Sequence, residues 1–325
     1  MTRLCLVGHF TSRPDEGVRN LAANLAVVLA KKHTVTTVNI LDPLAWIRVR
    51  TFRPDIIHYI ISPTVGGLLL ARVIAGVNPG ARTVVSAPHP ARLPNNRWMA
   101  WLKPDLVLVQ SDAAEKMFRQ LGYRTHFLPN GVDTVRFAPV AGERKRALMQ
   151  KYGIAQEKFV ILHVASLKRG RNLEVLAKLQ QDRQNQVVII GRQGEKRDEN
   201  LVRELKEAGC LVITEYLPEI EQLYALADCY VFPTLDHRYC IETPLSVLEA
   251  LACNLPVVTT PFGALPRLFS EGGGLTFARQ EAGIIRAVNA VKVENQPVRT
   301  REKVLAYGWE ELVQQLEAIY RQITI

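Results

Sequence analysis

The sequence predicts two doubly wound α/β domains in tandem, and three observations carry that reading. Short runs rich in β-branched residues alternate with longer segments whose apolar residues recur at helical spacing, the pattern of a parallel sheet with crossover helices. The series starts afresh at Phe159. Between the two series lies PNGVDTVRFAP, residues 129–139, where a strand end, an Asn-Gly turn and a Pro exit meet as they would at a domain junction. The expected division is 1–138, 139–305 and a last segment, 306–325.

Length and composition agree. The chain has 325 residues, 48% hydrophobic and 22% charged, enough for two ordinary cores and too apolar for disorder. In the first half, strand-like runs fall at 4–7, 35–40, 56–61, 83–87 and 105–109, with helical spacing between them, as at Leu21, Leu25, Val28 and Leu29. In the second half they fall at 159–165, 187–191, 210–214, 229–232, 256–259 and 274–277. WEELVQQLEAIY at 309–320 reads as an amphipathic helix. Ligands of such sheets bind beyond the carboxyl ends of the strands.

No stretch is apolar enough for a membrane span, since Arg72 interrupts the best candidate, LLLARVIAG. Met1 leads straight into the strand-like LCLVG, so a cytoplasmic protein is expected. Cys5, Cys210, Cys229, Cys240 and Cys253 are odd in number and lack CxxC spacing, which points to free thiols in a reducing compartment. The formal charge of +10 is one-sided. Residues 1–140 hold 17 Lys and Arg against 8 Asp and Glu, and residues 141–325 hold 24 against 23. A basic first half attracts phosphates or anionic lipid. Nucleic acid is not expected, because no zinc-finger, RRM or KH signature accompanies the charge.

Four segments carry candidate chemistry. In GHFTSRPDEGVRNLAANLAVVLA, Gly17 opens a helix after the first strand and lets backbone N–H groups approach an anion, although any βα turn can call for glycine. In VVSAPHPARLP, Pro88 and Pro90 fix a loop that holds His89 at the top of the sheet, where a lone histidine is as readily structural as catalytic. In HVASLKRGRNLEVL, Lys168, Arg169 and Arg171 crowd about Gly170, either as a solvated basic loop or as a grip on a diphosphate. In IETPLSVLEALACNLPVVTT, Thr243 reads as a helix N-cap and Pro244 as the first helical position. The N–H groups of Leu245 and Ser246 would then face an anion. Glu249 follows inside an apolar VLEALA run, where a buried carboxylate needs hydrogen-bond partners.

Taken in order, the Gly17 loop, PNGVD, EYLPEIEQLYALADCYVFPT and LEALA…PVVTT resemble the retaining glycosyltransferases of family 4, also called glycosyl transferases group 1. The resemblance covers essentially the whole chain. It implies the GT-B fold, two Rossmann-like doubly wound domains facing a cleft. The N-terminal domain would bind the acceptor, the C-terminal domain the nucleotide sugar, and the last helix would cross back to the first domain.

Residue by residue, the resemblance implies that the Gly17 loop lies under the donor sugar and diphosphate, and that His89 reaches the sugar near the reacting carbon. Where the family has an Arg and a Lys on the phosphates, Ser166 stands at the Arg position and Arg171 aligns best with the Lys. Lys168 and Arg169 are the candidates for a second cation. Glu249 would take the ribose hydroxyls. The family spacing is Glu-x7-Glu, but only six residues separate Glu242 from Glu249, with Ile241 at the expected place, so Glu242 would reach the donor sugar through an adjusted turn.

The implied catalytic residues are His89, Arg171 and Glu242. The implied donor-binding residues are Gly17, Lys168, Arg169, Arg171, Thr243, Leu245, Ser246 and Glu249. No Asp-x-Asp sequence appears, so no metal and no cofactor is expected beyond the UDP- or GDP-sugar itself. The expected reaction is a retaining transfer to a glycan or a polyprenyl- or other lipid-linked acceptor, with the departing phosphate taking the acceptor's proton. A nucleotide-sugar epimerase of the same fold and a catalytically silent donor-binding relative are the alternatives. Trp46 in WIRVRTFR, and Trp98 and Trp101 in RWMAWLK, interleave aromatic rings with cations and suggest an anionic membrane surface; Trp98 and Trp101 packing a core helix is the other reading.

Overall fold

The computed structural model describes residues 1–10, 17–40, 42–61, 63–89, 93–94, 97–191, 197–294 and 296–324. The chain forms two compact units: Met1–Gly131 with Ile241–Thr243 and Trp309–Ile325, and Val132–Cys240 with Pro244–Gly308.

The first unit runs β1 (Arg3–Gly8), α1 (Gly17–Leu29), β2 (Thr34–Asn39), α2 (Ala45–Phe52), β3 (Ile56–Ile60), α3 (Val65–Gly76), β4 (Arg82–Ala87), a 3-10 turn (Arg97–Leu102), β5 (Leu106–Val109), α4 (Asp112–Gln120) and β6 (Thr125–Phe127). Its sheet is parallel, in the order β2-β1-β3-β4-β5-β6. β3 is IIHYI with every residue buried, as expected of a strand covered on both faces. Thr64 and Ser111 start α3 and α4 by accepting the N–H of Gly67 and Ala114. β6 is absent from the sequence reading: three residues, THF, at the sheet edge with none fully buried.

In the second unit the order is α5 (Gly142–Lys151), β7 (Phe159–Val164), α6 (Glu174–Gln180), β8 (Asn185–Ile190), α7 (Glu199–Glu207), β9 (Leu211–Ile213), α8 (Glu221–Leu226), β10 (Cys229–Phe232), α9 (Leu245–Ala252), β11 (Val257–Thr259), α10 (Leu265–Leu268), β12 (Leu275–Phe277), α11 (Glu281–Val293) and α12 (Thr300–Val304). Its parallel sheet is ordered β12-β11-β10-β7-β8-β9, so the strand order reverses between β7 and β10. That switch point is where an open α/β sheet leaves a crevice for a ligand.

The junction differs from the expected boundary at 138. Val132 N–H donates to the Tyr307 carbonyl (3.0 Å), Arg301 donates to the carbonyls of Thr134 (2.9 Å) and Phe137 (3.0 Å), and the Phe137 ring meets Tyr224 edge-on. Residues 132–138 therefore pack into the second unit. The tight turn is not at Asn130-Gly131. Asp133 Oδ1 accepts from the N–H groups of Val135 (3.1 Å) and Arg136 (2.9 Å), which makes the turn there. Gly131 is needed for closeness instead: a Cβ on it would lie 2.6 Å from the Trp309 ring.

Helix α13 (Trp309–Thr324) belongs to the first unit. Its buried stripe includes Leu312, Leu316, Ile319, Tyr320 and Ile323. The Tyr320 hydroxyl bonds buried His58 Nδ1 (2.6 Å), and His58 Nε2 bonds Ser86 Oγ (2.8 Å). Burial pushes the His58 imidazole down to about 3, so it is neutral. Glu317 holds His33 Nε2 at 3.2 Å and Glu310 pairs with Lys31.

All five cysteines are buried, and none is in a disulfide. Among the described residues no helix is long and apolar enough to cross a membrane, and no group of three or more His, Cys, Asp and Glu side chains could hold a metal ion.

Candidate functional site

The site is built at the switch point of the second unit. The loop after β7 turns through a single 3-10 turn, Arg169–Arg171, and leaves by Asn172 in the left-handed region (φ 58°). The turn aims its two arginines oppositely. Arg169 is exposed and faces three carboxylates: Glu204 (2.5 Å), Asp198 (3.2 Å) and Glu174 (3.5 Å). Its charge is compensated within the unit by these three carboxylates. Arg171 is only 7% exposed. Its Nη2 donates to the Tyr239 carbonyl, and its buried Nε–H has no partner among the described residues. No described carboxylate pairs with it. A buried guanidinium so placed is poised for an anion, because its uncompensated charge is costly.

The same contact ties the β7 loop to the segment that follows β10. Asn172 Nδ2 donates to the Pro233 carbonyl (3.3 Å), and Gly170 lies so close to Tyr239 that a Cβ would sit 2.0 Å from the ring. Beneath lies His163, fully buried on β7. The Val231 carbonyl accepts from its Nδ1–H (2.8 Å), leaving Nε2 as an acceptor with no partner among the described residues. Burial first, and the Arg171 charge next, push this imidazole down to about 4, so it adds no cation of its own. Lys168 is half-buried immediately before the 3-10 turn.

Helix α9 starts one residue later than expected. Pro244 is the N-cap (φ −64°, ψ 118°) and offers no side-chain acceptor. Thr243 lies outside the helix: its carbonyl accepts from Asn130 Nδ2 (2.7 Å), and its buried Oγ1 has no partner among the described residues. The extended backbone that Pro244 adopts carries Thr243 away from the cap position. No cap side chain therefore serves the N–H groups of Leu245 and Ser246. The Ser246 hydroxyl is engaged with Tyr230, so its contribution to an anion is its backbone N–H.

Glu249 lies one turn further on. The fully buried Tyr224 hydroxyl donates to its Oε2 at 2.6 Å. This partner is missing from the sequence reading, although a buried tyrosine hydroxyl usually finds one. Desolvation pushes the Glu249 carboxyl up from 4.5 to about 7 against the Tyr224 hydrogen bond and the Arg136 charge, which pull it down, while Glu221 adds to the rise.

The remaining expected residues fall in the first unit. Gly17 is the first residue of α1, and residues 11–16 before it lie outside the described residues. His89 is half-buried at the bend after β4, with Pro90 outside the described residues. Glu242 is buried, and its backbone N–H donates to the Pro88 carbonyl (2.8 Å), so it is held beside the His89 loop. Within the second unit Arg171 follows β7, while the α9 start and Glu249 follow β10, the two strands on either side of the switch point.

Residues 158–292 match the family model for glycosyl transferases group 1. The D-inositol 3-phosphate glycosyltransferase of Geodermatophilus obscurus is 27% identical over 298 residues, covering 81% of this chain and 65% of that protein. The alpha-maltose-1-phosphate synthase of Mycolicibacterium smegmatis is 23% identical, covering 62% and 57%. The chain thus spans less than two thirds of the length of these curated relatives. Among solved structures, Anabaena HepE in complex with UDP superposes with a TM-score of 0.76 at 16% identity, covering 99% of this chain and 100% of the other. Sucrose-phosphate synthase from Thermosynechococcus elongatus gives 0.77 at 18%, covering 99% of each. At these identities the structural likeness is one of fold. The family model thus matches residues 158–292, less than half of the chain, and the likeness to solved structures shows that the fold is GT-B.

Proposed function

We propose that this chain transfers a sugar from a nucleotide diphosphate sugar, with retention of anomeric configuration and without a metal ion, to a glycan or lipid-linked acceptor. The observation that carries the reading is the buried Arg171 at the switch point, a guanidinium with an unpartnered Nε–H and no described carboxylate beside it. A diphosphate is the anion whose oxygens suit that fork. The uncapped start of α9 adds backbone donors and a positive helix end, so leaving-group charge is met by Arg171 and the N–H groups of Leu245 and Ser246. Glu249 takes the ribose hydroxyls through its carboxylate, held from behind by Tyr224. His89 and Glu242 contact the donor sugar from their shared loop region, and Lys168 supplies a second cation.

The HepE structures contain UDP and UDP-glucose, which favours a uridine nucleotide for this chain as well. Retention follows the family resemblance, in which the departing phosphate takes the acceptor's proton on the same face. The test is incubation with a panel of UDP- and GDP-sugars and acceptors, with and without EDTA. Free nucleoside diphosphate with an α-linked product from an α-donor, equal in both arms, is the expected result. An isomerised nucleotide sugar would assign an epimerase, binding without turnover a silent relative, and full dependence on added magnesium or manganese would overturn the metal-free reading.

A further inference from the structure

The first unit carries an apolar face that no described element covers. On α2 the exposed apolar side chains are Trp46 (46%) and Ile47, with Arg50 one turn on; on α3 Leu69, Arg72 and Val73 are exposed, again three and four apart on one face. α2 packs beside α3, and α3 beside the 97–102 turn. Trp101 on that turn is 62% exposed, with the Arg72 guanidinium 5.5 Å over its ring. The three segments AWIRVRTF, VGGLLLARVIAG and RWMAWL contain no Asp or Glu. Arg48 is mostly exposed beside Asp42 (3.3 Å); Asp42 and Asp55 flank α2, each three residues from its ends.

Exposed rings and aliphatic side chains grouped this way mark an interaction surface. The companions of the apolar groups decide the partner. Five large apolar side chains are interspersed with arginines, in the half of the chain that holds 17 Lys and Arg against 8 Asp and Glu. A second copy docked on the same face would set arginine against arginine across the two-fold axis. An anionic bilayer offers both complements, a headgroup layer that accepts indole rings and phosphates that meet guanidinium groups.

We propose that the α2–α3–Trp101 face docks the first unit onto an anionic membrane surface, with Trp46 and Trp101 entering the headgroup layer. The surface is independent of the nucleotide site. A failure of nucleotide binding leaves this result standing, and the reverse holds as well.

The test is flotation of the whole chain with vesicles of phosphatidylcholine alone or mixed equally with phosphatidylglycerol, at low and high salt. The wild type binds the mixed vesicles, binds the neutral ones much less, and is weakened by salt. The double variant Trp46→Ala/Trp101→Ala loses at least about tenfold in vesicle affinity, given the area such rings bury. Arg50→Glu/Arg72→Glu, which leaves both rings in place, loses at least about fivefold at each reversed arginine. Both variants keep wild-type nucleotide affinity. Binding to neither vesicle, equal binding to both, or variants that bind as the wild type does would overturn the proposal. So would a concentration-dependent dimer abolished by the tryptophan substitutions.

Discussion

Glu249 is held where its charge is costly, and replacing it with glutamine exposes that cost. Burial lifts its carboxyl from 4.5 to about 7. Between those values the folded state holds a proton that the unfolded chain has released, so this group lowers stability as pH rises, and its whole cost is present above pH 7. At about 1.4 kcal/mol for each pH unit of displacement, the cost is about 3 kcal/mol. Glu249→Gln keeps the shape and still offers an oxygen to the Tyr224 hydroxyl, but it cannot ionise. Its stability relative to the wild type should therefore improve between pH 5 and pH 8 by about 2–3 kcal/mol, while nucleotide affinity falls roughly tenfold or more. Urea unfolding of both proteins without nucleotide, followed through the second unit, measures the difference. If the variant differs from the wild type by the same amount at both pH values, the carboxylate is not desolvated and the reasoning fails.

Other outcomes follow from the same contacts. Tyr224→Phe removes the hydrogen bond that holds the Glu249 carboxyl down, so the acid limb of nucleotide binding should move to higher pH in calorimetric titrations. His89→Ala should lower turnover with donor affinity nearly preserved, a split that kcat and donor KM report; an equal loss in binding would place His89 elsewhere. Tyr320→Phe strips buried His58 of its Nδ1 partner and should cost about 1–3 kcal/mol in urea unfolding of the first unit. Gly131→Ala drives a Cβ into the Trp309 ring, with the helix backbone only 3.2 Å away, and should cost about 1–3 kcal/mol; an unchanged midpoint would mean that α13 yields freely.

Most of the fold is legible because its strands are buried on both faces and read as continuous β-branched runs, FVILHV and QVVII among them. The edge strand β6 escapes because THF, half in water, carries no such signal. The site is legible in its residue types and less so in its directions. Arg169 and Arg171 are indistinguishable in sequence, and only the 3-10 turn sends one to three carboxylates and the other inward. Thr243-Pro244 has the composition of a cap and first turn, yet the extended Pro244 backbone shifts the helix start by one residue. Tyr224 as the partner of Glu249 is a contact across 25 residues, beyond the reach of local pattern.

The proposed donor site at the second unit's switch point is tested most directly by calorimetric titration of UDP and GDP, in EDTA, into the wild type and Arg171→Ala. One lost charged hydrogen bond is worth about 1.5–3 kcal/mol. The wild type should bind at least one of the two nucleotides, and the folded variant should bind that nucleotide ten- to a hundredfold more weakly. A folded Arg171→Ala protein with wild-type affinity would contradict the assignment.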